Sequence, residues 1–327
     1  MRFGKSISMV TIVAILITLC GCNNSLNTTV SDNVKTIVST NTVSDYIKAK
    51  VSTSTVPDKA APKLTKSELT KVILSSKVLN QDMKLNIYLP KGYSSNNKYP
   101  VLYMIHGYSG NEDSWMPDLK LNIRADELID SNKIKPLIIV APQINNSYGI
   151  NSSETARQLG NNPKNNLFEG LYEDYLYKEV ITFIDSNYST ISTKDGRYIG
   201  GLSMGGCVAL HLAFSHSDMF SKVGGHSPAL FVDETPSGIV TWLYPNETLR
   251  EERNPIYIAQ NKDLKALNAY LDCGDKDSYK FYEGCDRLYK ILQDKGVESQ
   301  YHFNSGAHDG AYWEGNSEKY LLFYAGN

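Results

Sequence analysis

The stretch Arg197-Tyr198-Ile199-Gly200-Gly201-Leu202-Ser203-Met204-Gly205-Gly206-Cys207-Val208-Ala209-Leu210 decides how the rest of the chain is read. Tyr198-Ile199-Gly200 reads as a strand, and Cys207 to Leu210 opens a helical run to about Phe214. Between them, Gly201-Leu202-Ser203-Met204-Gly205 puts a serine on a tight turn with a glycine two places to either side. Glycines are needed there because the backbone approaches itself closely. Gly206 keeps the following helix near the sheet. A serine presented in this way is a candidate nucleophile, but its hydroxyl is weak at neutral pH and requires a base.

The base can be sought among six histidines. For a serine on such a turn the partners follow in the order nucleophile, acid, histidine, which excludes His106. His211 and His216 fall on the helix after Ser203, and His302 falls within a strand-like run. His308 lies in the loop Ser305-Gly306-Ala307-His308-Asp309-Gly310, after the last strand, where it can reach over Ser203. His226 ends an apparent strand and is expected to border the pocket and contact substrate. The acid should follow the strand Leu267 to Leu271, where Asp272, Asp275 and Asp277 stand in turn. Asp272, close to the strand, reads as a packing residue; spacing leaves Asp275 and Asp277 open. An oxyanion hole needs backbone N–H donors. Met204, directly after the nucleophile, is one, and Tyr108 in His106-Gly107-Tyr108-Ser109-Gly110 is the other. His106 is expected to order that loop through hydrogen bonds.

Around this centre the pattern alternates. Val72 to Leu79 and Met83 to Leu89 suggest a hairpin about Asn80-Gln81-Asp82. Val101 to Ile105, Pro136 to Val140, Leu267 to Leu271 and Gln300 to Phe303 read as strands. Ile123 to Ile129, Tyr172 to Tyr188, Phe281 to Leu292 and Ala311 to Tyr324 read as helices. Such alternation predicts an α/β fold, a mostly parallel sheet with helices on both faces. Residues 227–261 lack clear periodicity and either cap the site or connect elements.

The first 22 residues read as a lipoprotein signal peptide: Arg2 and Lys5, an apolar run from Ile7 to Leu19, then Leu19-Cys20-Gly21-Cys22. The run is short for a membrane span. Gly21 makes Cys22 the expected lipidated residue, so the mature chain would be lipid-anchored at the cell membrane and extracytoplasmic, with plain secretion as the alternative. Residues 23–66, rich in Ser, Thr and Asn, read as a disordered tether, and residues 67–327 as the catalytic domain. Cys273 and Cys285 are a possible disulfide, and Cys207 a small buried hydrophobe. With 33 basic and 35 acidic residues, the chain shows no sign of a nucleic-acid partner. No metal-ligand or nucleotide-binding motif is present, so neither a metal nor another cofactor is implied.

The set HGYSGNEDSW, GLSMGG, LDCGDKDS and GAHDGAYW resembles the esterase D-like branch of α/β-hydrolases, from about Val72 onward. That branch includes the feruloyl and acetyl-xylan esterases of carbohydrate esterase family 1. In those enzymes the acid sits in a Cys-Gly-x-x-Asp-Ser-like turn, which the resemblance maps to Asp277. It also maps a His-Asp pair and a following tryptophan to His308, Asp309 and Trp313, marking Trp313 for substrate contact. Ala307 stands where many relatives have glycine. The segment Glu169-Gly170-Leu171-Tyr172-Glu173-Asp174-Tyr175 resembles the branch's aromatic-rich lead into a helix. The resemblance implies a serine carboxylesterase with Ser203, Asp277 and His308 as its triad, acting on feruloyl or acetyl esters of plant polysaccharide. A siderophore esterase, an acyltransferase and a non-catalytic surface-binding lipoprotein are the alternatives.

Overall fold

Strands rich in β-branched and aromatic residues assemble the centre of the molecule in a computed structural model that describes residues 63–159, 166–232 and 238–327. The signal-peptide segment, Cys22 and nearly all of the tether lie outside the described residues. Strands β1 (Glu68–Ser76) and β2 (Gln81–Leu89) form the expected hairpin. The turn falls slightly earlier than its polar residues suggested, because Gln81 and Asp82 already pair with Ser76 and Ser75. Leu64 exchanges backbone hydrogen bonds with Gly92 and Tyr93, ahead of the expected domain start at residue 67.

The remaining strands of the main sheet are β3 (Val101–Ile105), β4 (Ile138–Pro142), β7 (Arg197–Leu202), β8 (Lys222–His226), β9 (Asn268–Gly274) and β10 (Glu298–Asn304). They lie in the order β1-β2-β4-β3-β7-β8-β9-β10. From β4 to β10 every pairing is parallel, whereas β2 runs antiparallel to β4. Short strands β5 (Arg157–Leu159) and β6 (Leu167–Glu169) pair separately.

Strand alternation divides the interior into two layers. Val101, Tyr103 and Ile105 of β3 face one core, with the helix Met204–Ser215; Leu102 and Met104 face the other, with Leu121–Asp130 and the closing helix Gly310–Ala325. Residues 172–187 form the expected helical stretch, with a π-helical turn at Tyr175–Val180. In the region without periodicity three short helices occur, Gly238–Leu243, Glu247–Arg253 and Pro255–Asn261. Asn246 and Asn254 cap the latter two by accepting from Leu249 and Ile256 N–H. These helices are too short for an apolar stripe to emerge from sequence. No helix among the described residues is long and apolar enough to cross a membrane.

One wedge ties the closing helix to the sheet. The Tyr324 ring lies over β7 and β8 where Gly200 and Gly224 are paired, and a Cβ on either glycine would collide with its hydroxyl. Gly224→Ala should therefore destabilise the fold by roughly 1–3 kcal/mol through overpacking. Thermal unfolding of Gly224→Ala beside Gly224→Ala/Tyr324→Phe should show part of that loss recovered in the double variant, since the hydroxyl is the nearest obstacle.

Candidate active site

Ser203 sits between β7 and the helix that begins at Met204, with φ 53° and ψ −118°. Such a conformation is costly for a residue with a Cβ and persists only where its surroundings over-determine it. Here the Ser203 N–H donates to His226 O at 2.9 Å, and Ser203 O accepts from Cys207 and Ala229 N–H. A Cβ on Gly201 would strike the Gly205 carbonyl, and one on Gly205 would strike the Ile105 carbonyl. The glycines on either side of the serine are thus required by close approach to backbone.

Three side chains converge on this turn. Ser203 Oγ lies 2.9 Å from His308 Nε2, and His308 Nδ1 lies 2.7 Å from Asp277 Oδ2. A carboxylate only accepts, so Nδ1 carries the proton and Nε2 is the acceptor for the serine hydroxyl. Burial works against the charge of Asp277. The hydrogen bond and charge of His308, the Cys273 thiol and the Tyr279 N–H together outweigh it and hold the carboxyl below its ordinary range. Cys273 Sγ donates to Oδ2 at 3.2 Å, and Tyr279 N–H donates to Oδ1 at 2.8 Å.

The other candidate acids have different partners. Asp275 Oδ1 accepts from Gly306 N–H at 2.9 Å, while Asp275 and Lys276 N–H donate to Asn304 and Gly306 carbonyls. It zips the turn after β9 to the turn after β10, which carries His308. Asp272 is fully buried and accepts from His226 Nδ1, Tyr312 Oη and Tyr320 Oη.

His226 corrects an expectation. Rather than bordering the pocket, it is fully buried beneath it, stacked on Tyr320 at 3.7 Å and hydrogen-bonded to Asp272 at 3.0 Å. Alternation along β8 sends its side chain toward the closing helix, on the face opposite Val223. Cys273 and Cys285 are free, buried thiols rather than a disulfide. Burial pushes the Cys207 thiol up to about 12. His211 and His216 turn to Glu173, at 3.5 and 2.9 Å, and His302 stacks on Tyr270 at 4.9 Å.

His106 is buried at the end of β3 and bridges two loops. Ile144 N–H donates to its Nε2 at 3.0 Å, so Nδ1 carries the proton and donates to Gly107 O at 2.8 Å. Ser109 N–H donates to Asn146 Oδ1 at 2.7 Å. These bonds fix the segment that presents Gly107 and Tyr108 to the cavity. Met204, the first helical residue, has an N–H without an intrahelical acceptor.

A cavity of about 770 Å³ opens over Ser203 and His308. Trp313 lines it and meets the His308 ring edge-on at 5.0 Å. Tyr148, Phe231, Tyr279 and Phe281 also line it, from three separate stretches of chain, and sequence reasoning missed them. Only Tyr279 and Phe281 carried a signal, their nearness to Asp277 in the chain. No group of three His, Cys, Asp or Glu side chains among the described residues is arranged to hold a metal ion.

Residues 76–317 match the model of the Esterase family. An endo-1,4-beta-xylanase/feruloyl esterase of Xylanibacter ruminicola is 29% identical over 241 residues, 72% of this chain but 28% of that protein. The chain therefore spans little more than a quarter of that relative's length. A solved ferulic acid esterase superimposes with a TM-score of 0.67 at 26% identity, covering 80% of this chain and 98% of the other. The carbohydrate esterase family 1 ferulic acid esterase of Anaeromyces mucronatus, solved in complex with ferulic acid, gives a TM-score of 0.58 at 23% identity, covering 82% and 94%.

Burial lowers the His106 pKa from its ordinary 6.5 to about 4, against the opposing hydrogen bond to Gly107. The folded state thus prefers neutral His106, and its contribution is present above the unfolded value and lost as pH falls through the folded one. Between pH 6.5 and 4 this should remove about 3 kcal/mol of stability. Urea midpoints measured across that window should fall less steeply in His106→Gln than in the parent.

Proposed function

The chain belongs to the Esterase family of carboxylic ester hydrolases, and from that premise we propose that it works through an acyl-Ser203 intermediate on feruloyl or acetyl esters of plant polysaccharide. The observation that carries the mechanism is the unbroken relay from Ser203 Oγ through His308 to Asp277, at 2.9 and 2.7 Å. Ser203 attacks the ester carbonyl as its proton passes to His308 Nε2. The tetrahedral oxyanion is held by the Met204 and Tyr108 N–H groups. His308 then gives the proton to the leaving alcohol oxygen, and the acyl-serine forms. Water then attacks the acyl carbon as its proton passes to His308, and His308 returns that proton to Ser203 Oγ as the acyl–Oγ bond breaks and the acid leaves, while Asp277 keeps the imidazole in the productive tautomer and stabilises its cation.

The substrate reading is supported by the aromatic walls of a cavity roomy enough for a phenolic acyl group, and by the likeness to ferulic acid esterases. Support for lipid anchoring through Cys22 at an extracytoplasmic membrane surface is the apolar run from Ile7 to Leu19 and the small Gly21 before that cysteine. Metabolic labelling with radioactive palmitate should mark the full chain and should not mark Cys22→Ala.

The mechanism is tested with kcat/KM on methyl ferulate and on 4-nitrophenyl acetate. Ser203→Ala, His308→Ala and Asp277→Asn should each lose roughly ten-thousandfold or more, with unchanged circular dichroism. A fluorophosphonate should label the parent at Ser203. Without labelling, the chain would instead be a surface-binding lipoprotein. Full activity in Asp277→Asn with loss in Asp275→Asn would overturn the choice of acid. A preference for methyl ferulate is expected; turnover of the acetate ester alone would retain the mechanism and remove ferulate.

A further inference from the structure

The mouth of the cavity holds a large ring that the fold leaves in water. Tyr279 is 66% exposed yet lines the cavity, in contrast to Tyr148 and Phe281, which are 5% and 8% exposed. Its ring is nonetheless held in place. It lies nearly parallel to Phe281, with centroids 5.3 Å apart and planes 12° apart, and meets the His308 imidazole edge-on at 5.0 Å. Its backbone N–H is bonded to Asp277 Oδ1.

Position decides which part of the substrate this ring meets. In acyl transfer the imidazole that deprotonates the serine also protonates the leaving oxygen, so the alcohol half of the ester lies beside it, and of the three rings packed against that imidazole, Phe281, Trp313 and Tyr279, only Tyr279 is open to water. The buried walls suit an apolar acyl group that gives up its water. An exposed aromatic face suits a ring with one face of C–H groups and hydroxyls that stay hydrated, since tyrosine offers an apolar body and a wet edge. The same cavity carries Ser114 and the exposed Asp118, acceptors for hydroxyls that an apolar acyl group would not need.

We propose that Tyr279 is the platform for the sugar ring bearing the leaving hydroxyl, and that it makes esters of oligosaccharides better substrates than simple esters of the same acid. This rests on the carboxylesterase reading above and goes beyond it in assigning the alcohol side.

The test uses two pairs of substrates that share an acyl group: a feruloylated arabinoxylo-oligosaccharide with methyl ferulate, and an acetylated xylo-oligosaccharide with 4-nitrophenyl acetate. Tyr279→Ala should lose about tenfold in kcat/KM on the sugar ester of a pair, mostly through KM, and less than about twofold on its simple partner. Tyr279→Phe and Tyr279→Trp should retain the sugar-ester activity, because either keeps a flat ring. Equal losses on both members of a pair would overturn the proposal and make Tyr279 a support for His308 or the acyl group. An unchanged Tyr279→Ala on the sugar esters would overturn it too. If the parent hydrolyses none of the four, the ester-hydrolase reading itself falls, and this assignment with it.

Discussion

A buried carboxylate organises this molecule. Asp272 has no exposure to solvent, and a charge in that position costs several kcal/mol unless its oxygens are filled. It is filled from two elements: His226 at the end of β8, and Tyr312 and Tyr320 of the closing helix, at 3.0, 2.7 and 2.9 Å. Its own carbonyl accepts Ser227 N–H. Satisfying this one group therefore fastens β8, β9 and the closing helix together below the site. Each of them also carries part of the active centre. His226 offers its carbonyl to Ser203 N–H, β9 carries Cys273 and leads into the turn of Asp277, and the closing helix starts just after His308. The reach from Ser203 to His308 is set by a polar knot that meets Ser203 only through the His226 carbonyl.

Three aspartates lie within six residues of one turn, and the fold gives each a different task. Strand alternation separates the first. Tyr270 and Asp272 face the layer of the closing helix, whereas Ala269, Leu271 and Cys273 face the layer of Met204–Ser215. Beyond Gly274 the chain turns back, with Asp277 N–H donating to Gly274 O, and the next two carboxylates diverge. Asp275 meets the backbone of the neighbouring loop, and Asp277 meets His308.

This explains what sequence could and could not supply. The turn at Ser203 was legible because glycine on both sides of a serine, between strand-like and helix-like runs, has few other physical uses. Chain order and loop position together singled out His308 among the six histidines. By contrast Asp275 and Asp277 are both near the end of β9, and nothing local separates them; only resemblance to a family's turn did so. His226 was misplaced because the central strands are covered on both faces, so no polar alternation marks which way a terminal residue points. Two walls of the cavity were illegible for a different reason: Tyr148 and Phe231 lie far from the catalytic residues in the chain and meet them only when the sheet orders its loops.

The two oxygens of Asp277 link chemistry to recognition. Oδ2 receives His308 and the Cys273 thiol, while Oδ1 receives the N–H of Tyr279. Removing negative charge at this position thus does more than weaken the tautomeric preference of His308. It also loosens the backbone that presents an aromatic ring at the cavity mouth. The weak thiol donor beside His308 acts in the opposite sense, steadying the carboxylate without supplying a full positive charge. A cation there would compete with His308 for Oδ2, and in the proposed acyl transfer the imidazole cation would lose part of its counter-charge. A buried thiol donor meets both requirements, holding the acid in place while leaving its charge for the base.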